Sequence, residues 1–74
     1  MVKLPSVSGK KTIKALEKIG YQVIRRKGSH FRLHCLNRES ITVPDHKSLA
    51  KGLLRKILRD SELSIKEFIK LLNK

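Results

Sequence analysis

Residues 21–35 read Tyr21-Gln22-Val23-Ile24-Arg25-Arg26-Lys27-Gly28-Ser29-His30-Phe31-Arg32-Leu33-His34-Cys35, and this stretch decides the fold. Side chains alternate with a period of two on either side of Lys27-Gly28, which predicts strands over 21–25 and 30–35 joined by a tight turn. In the second strand Phe31, Leu33 and Cys35 share one face, so His30, Arg32 and His34 stand together on the other. A third strand over 40–43 follows a short turn at Asn37-Arg38-Glu39, and Pro44, which cannot donate to a ladder, closes it.

Outward from these strands the period becomes helical. Residues 2–7 form an entry segment containing Pro5, and Ser8 is placed to cap a helix whose apolar positions are Ile13, Leu16 and Ile19. Gly20 ends it. Downstream, Leu49, Leu53, Leu54, Ile57 and Leu58 make a second apolar stripe, with Ser48 as the candidate cap and Gly52 inside the pattern. Ser64-Ile65-Lys66-Glu67 has the form of a capping box, followed by Phe68, Ile69, Leu71 and Leu72 at core spacing. The order helix, three antiparallel strands, helix, short helix predicts an α+β fold with helices on one face of the sheet. At 74 residues and 39% hydrophobic composition, one domain over residues 1–74 with one modest core is expected.

Charge is the strongest compositional signal: 18 Lys and Arg against 6 Asp and Glu, a formal +12. Such a surplus on a small surface attracts polyanions. From Met1 to Arg38 the only acid is Glu17, so the first half should carry the anion-binding face. A merely solubilising basic surface is the bland alternative. With a single cysteine, Cys35, no internal disulfide and no multi-cysteine zinc cluster can form, which fits a reducing cytoplasm. No apolar run approaches a membrane span or the core of a signal peptide, so no membrane association is expected.

The exposed row His30, Arg32, His34 offers a bed for a phosphate backbone, and histidine can move protons near neutral pH. RNA cleavage without a metal needs a base for the 2′-hydroxyl, a cation for the crowded phosphate and an acid for the leaving oxygen. His34 lies four residues along the strand from His30, ~13 Å away, too far to share one phosphate. If the second hairpin turns through 37–39, Cys35 faces Ile41, Leu33 faces Val43 and His30 comes opposite His46. His30 and His46 are therefore the candidate proton-transfer pair. Gly28, Ser29, Arg26, Lys27 and Arg32, with Lys10 and Lys11, are the candidate RNA contacts. Two histidines with Asp45 and no third clear ligand make a poor zinc site, so neither metal nor small-molecule cofactor is expected. Ser29 sits in no nucleophile-elbow pattern.

Several segments carry a family resemblance: Leu4-Pro5, Ser8-Gly9-Lys10, Ala15-Leu16 before Gly20-Tyr21, Arg26-Lys27-Gly28-Ser29-His30, Val43-Pro44-Asp45-His46 and Leu54-Arg55-Lys56-Ile57-Leu58. In this order they resemble the HicA-type (YcfA-like) toxins over nearly the whole chain. Lys51-Gly52-Leu53 departs from the Pro-Gly-Thr-like helix entry of many relatives. The resemblance implies a fold like a double-stranded-RNA-binding domain, an mRNA-cleaving activity that arrests translation, and a HicB-type antitoxin as partner. It also implies that His30 is the catalytic histidine and Gly28 its companion. A non-catalytic RNA-binding module of the same fold is the competing expectation.

Overall fold

The computed structural model describes residues 3–73, so Val2, the first residue of the entry segment, lies outside the described part. Helix α1 (Gly9–Glu17) starts where predicted, because the Ser8 side chain accepts a hydrogen bond from the Lys11 amide at 3.1 Å. Three strands follow: β1 (Gln22–Lys27), β2 (His30–His34) and β3 (Ile41–Pro44), an antiparallel sheet in the order β1-β2-β3. Helices α2 (Lys51–Asp60) and α3 (Ile65–Leu72) complete the chain. The order is that of an α+β, double-stranded-RNA-binding-domain-like fold with an added C-terminal helix.

The inner faces supply the core. Leu33 from β2, Ile41 and Val43 from β3, Leu16 from α1, Leu54 and Ile57 from α2 and Phe68 from α3 are all buried in one cluster. α3 is held by the capping box read from the sequence, with the Ser64 and Glu67 side chains each bonded to the other's backbone amide. At α2 the cap residue is Ala50, which makes no side-chain bond. Ser48, the expected cap, instead bonds the Ser6 hydroxyl at 3.1 Å.

Three further expectations change. The first turn consists of Gly28 and Ser29, with Lys27 still in β1 opposite His30. Gly28 has φ +60, and a glycine with positive φ at the first central position is what a two-residue hairpin turn of the II′ kind requires. β1 does not alternate between buried and exposed positions; it is an edge strand exposed along its length, and a bulge at Ile24 breaks its period.

The third change is the β2–β3 register. Leu33 faces Ile41, Phe31 faces Val43 and His30 faces Pro44, two residues from the expected alignment. The connection is longer than a three-residue turn. Cys35 leaves the ladder, Asn37 takes φ +68, and the Arg38 amide closes a turn onto the Cys35 carbonyl at 3.2 Å. Because the shift is an even number, the core face is unchanged while the cross-strand neighbours differ. Pro44 fits inside the strand because the adjacent ladder bond runs from the Asp45 amide to the Ser29 carbonyl, 2.6 Å, and asks nothing of residue 44.

Tyr21 locks that long connection. Its ring is buried and its hydroxyl donates to the Glu39 carbonyl at 2.8 Å. Burial first, and the neighbouring Cys35 next, push the hydroxyl from 10.0 up to about 12. A proton held more tightly in the folded state stabilises it fully below pH 10 and ceases to do so as pH rises to 12. The contribution of Tyr21 to stability, read by urea unfolding, should therefore fall as pH rises from 10 to 12. Tyr21→Phe should cost about 1 kcal/mol at neutral pH and flatten the alkaline loss.

Candidate active site

Hairpin β1–β2 places the chemistry. Outward-facing residues pair as Lys27 with His30, Arg25 with Arg32 and Gln22 with His34. One exposed face therefore carries His30 with Lys27, Arg25 and Arg32, beside the Gly28-Ser29 turn. The turn is pinned from two sides, by Asp45 N–H on the Ser29 carbonyl and by the Arg26 Nε–H on the Gly28 carbonyl at 3.1 Å. A side chain added at Gly28 would meet nothing within 4 Å, so the space beside the turn is open. Arg32 is steadied by a 2.9 Å bond from Nη1 to Thr42 Oγ1 on β3.

Helix α2 borders this face rather than leaving it flat. A groove of about 240 Å³ has His30, Arg32, Thr42 and Pro44 on its sheet side and Leu53, Lys56, Ile57 and Asp60 among its other walls. Lys56 Nζ lies 3.8 Å from the Asp60 carboxylate across its rim. His34 contacts the Ser40 hydroxyl at 3.4 Å, further along the face.

The expected site residues separate into two sets. His30, Gly28, Ser29, Lys27 and Arg32 come together. Arg26 does not join them: it pairs with Phe31 on the opposite face, stacks 4.9 Å over that ring and lies 3.9 Å from the Asp45 carboxylate, bracing the hairpin. Lys10 and Lys11 ride on α1 behind the sheet, Lys11 lining a separate groove with Lys14, Leu71 and Leu72. His46 is not the cross-strand neighbour of His30, since the register gives that place to Pro44. His46 follows two residues later, exposed, its carbonyl taking the Gly9 amide at 2.9 Å.

Sequence reasoning missed Arg25, Lys56 and Asp60. A two-residue turn at Gly28-Ser29 already implies that Arg25 opposes Arg32. Lys56 and Asp60 carried no comparable signal, because an amphipathic pattern does not say which sheet edge a helix borders.

Chemically, the face sets the His30 imidazole among three cations, Lys27, Arg25 and Arg32, spaced along a strand pair, with His34 further along it, a set suited to a phosphodiester. Among the described residues no group of three or more His, Cys, Asp or Glu side chains could hold a metal ion, and no helix is long and apolar enough to cross a membrane.

Comparison with known proteins agrees with the fold. A family described as "HicA toxin of bacterial toxin-antitoxin" matches residues 9–63. A solved chain from a toxin-antitoxin complex of Streptococcus pneumoniae superimposes with a TM-score of 0.68 at 29% identity, covering 77% of this chain and 98% of that one. A comparison with curated proteins finds no match. The matched span takes in the Gly28-Ser29-His30 turn, α2 and the groove between them.

Proposed function

Because the chain belongs to the HicA toxin family of bacterial toxin-antitoxin systems, we propose that it is a metal-independent endoribonuclease that cleaves mRNA and so arrests translation. It acts in the cytoplasm as one domain over residues 1–74, restrained by a HicB-type antitoxin. The observation that carries this reading is the placement of His30 among Lys27, Arg25 and Arg32 on one open face.

In the proposed reaction the 2′-oxygen of a ribose attacks the adjacent phosphorus. The P–O5′ bond breaks, leaving a 2′,3′-cyclic phosphate and a 5′-hydroxyl. His30 takes the 2′-hydroxyl proton or delivers one to the departing oxygen, and Arg32 with Lys27 and Arg25 stabilises the added charge on phosphorus. His46 is proposed as a second proton carrier. Gly28 and Ser29 leave room for the backbone of the RNA to approach. Arg26, Lys10 and Lys11 enter as supporting contacts, the first by holding the turn and the lysines by long-range attraction.

The direct test is incubation of purified protein with RNA in excess chelator. Cleavage to cyclic-phosphate ends is expected; binding without any cleavage would replace the enzyme with a binding module. Binding should weaken steeply with salt. Three to four phosphate contacts, from Arg25, Lys27, Arg32 and Lys56, give a log–log slope of about −2 to −3 for single-stranded RNA. A slope near zero in a salt titration would remove this face from RNA binding.

A further inference from the structure

On the reading that this chain cuts RNA, we propose that the groove between the sheet and α2 is a nucleobase subsite beside His30. It selects a base bearing an exocyclic amino group, with Asp60 as the specificity-determining residue. The groove has His30 on one side and apolar Pro44, Leu53 and Ile57 within its walls. At about 240 Å³ it falls below the ~300–1,000 Å³ of sites for larger ligands and suits a single heterocycle.

A carboxylate distinguishes the groove from a phosphate site. Asp60 is one of only 6 acids in a chain of formal charge +12, and it faces the groove next to the proposed cleavage centre, where it would repel phosphate. Helix stability does not account for it. Asp60 is the last residue of α2, the end at which negative charge opposes the helix dipole. Its pairing with Lys56 puts the cation N-terminal to the acid, the weaker orientation, and the Lys56 side chain is 65% exposed.

An ionised carboxylate only accepts hydrogen bonds. It therefore takes the amino group of cytosine, adenine or guanine. Uracil, which places carbonyls where those amino groups stand and keeps only its ring N3–H as a donor, is held less well. The Thr42 oxygen already accepts from Arg32, which leaves its own hydroxyl hydrogen for a base carbonyl or ring nitrogen.

Two experiments separate this subsite from the cleavage reading on which it rests. In the first, DNA oligonucleotides containing a single ribonucleotide are cut by the parent and by Asp60→Asn, with the base varied on each side of the one scissile bond. At one of the two positions the amino-bearing bases should be cut about tenfold or more faster than uracil, and Asp60→Asn should bring that ratio to within about twofold. Equal cutting of all bases by the parent, or an unchanged ratio in the variant, overturns the proposal.

The second experiment needs no cleavage. Nitrogen-15-labelled protein is titrated with cytidine, adenosine, guanosine and uridine 3′-monophosphates. The Thr42, Leu53 and Asp60 amides should shift with at least one of the first three at concentrations where uridine leaves them in place. No selective shift overturns the subsite, and this titration decides it alone if no RNA is cut at all.

Discussion

Gly9→Ala is expected to remove most of the stability of this protein. A β-carbon built on Gly9 would stand 1.9 Å from the Pro44 carbonyl oxygen and 3.0 Å from its carbon, both backbone atoms that cannot rotate away. Relief requires moving the start of α1 off the end of β3, which also breaks the 2.9 Å bond from the Gly9 amide to the His46 carbonyl. The combined overpacking and lost bond should cost about 3 kcal/mol or more. A domain of 74 residues has only about 5 kcal/mol in total. The midpoint in a thermal scan should fall by about 12–24 °C. Gly52→Ala is the control: no atom lies within 4 Å of the added carbon and the site is an exposed position in α2. There the same change should stabilise by about 0.5–1 kcal/mol. Equal effects at the two glycines would contradict the close approach at Gly9.

His30→Ala should lower RNA cleavage by about 10²–10⁴-fold while binding changes by no more than a few-fold. The range is what a positioned acid or base contributes. Binding should persist because Lys27, Arg25 and Arg32 remain on the face, and Arg32 keeps its bond to Thr42. The fold should persist as well, since His30 is exposed and contributes nothing to the buried cluster. His46→Ala should cost about tenfold, a smaller loss, because Pro44 and not His46 stands across from His30. A larger loss at His46 than at His30 would reverse the roles assigned to them.

Much of this was legible in the residues. Ser8 and the Ser64–Glu67 box gave helix starts that the structure keeps, because caps act through bonds local in sequence. The alternation of β2 gave the face of His30, because that face depends only on parity. The neighbour of His30 depends on the length of the 35–40 connection, and no single residue announces it. There Tyr21, far upstream, holds Glu39 and helps fix the longer course. The bulge at Ile24 was hidden as well, for neither Val23 nor Ile24 is a residue that marks one. It falls beyond the pairs nearest the turn, so the alignment of Lys27 with His30 and of Arg25 with Arg32 follows from Gly28-Ser29 alone. Ala50 could not have been read as a cap, since it has no group with which to act as one. Asp60 and Lys56 entered the site only when α2 was seen to border the outer face.

The proposed function rests on His30 as the group that moves a proton during RNA cleavage that requires no metal. It is tested most directly by single-turnover cleavage of one end-labelled RNA in chelator by the parent and by His30→Ala, with binding of the same RNA measured in parallel. The parent should produce 2′,3′-cyclic phosphate ends, and the variant should bind comparably and cut at least about a hundredfold more slowly. Equal cleavage by the two proteins would contradict the assignment of His30.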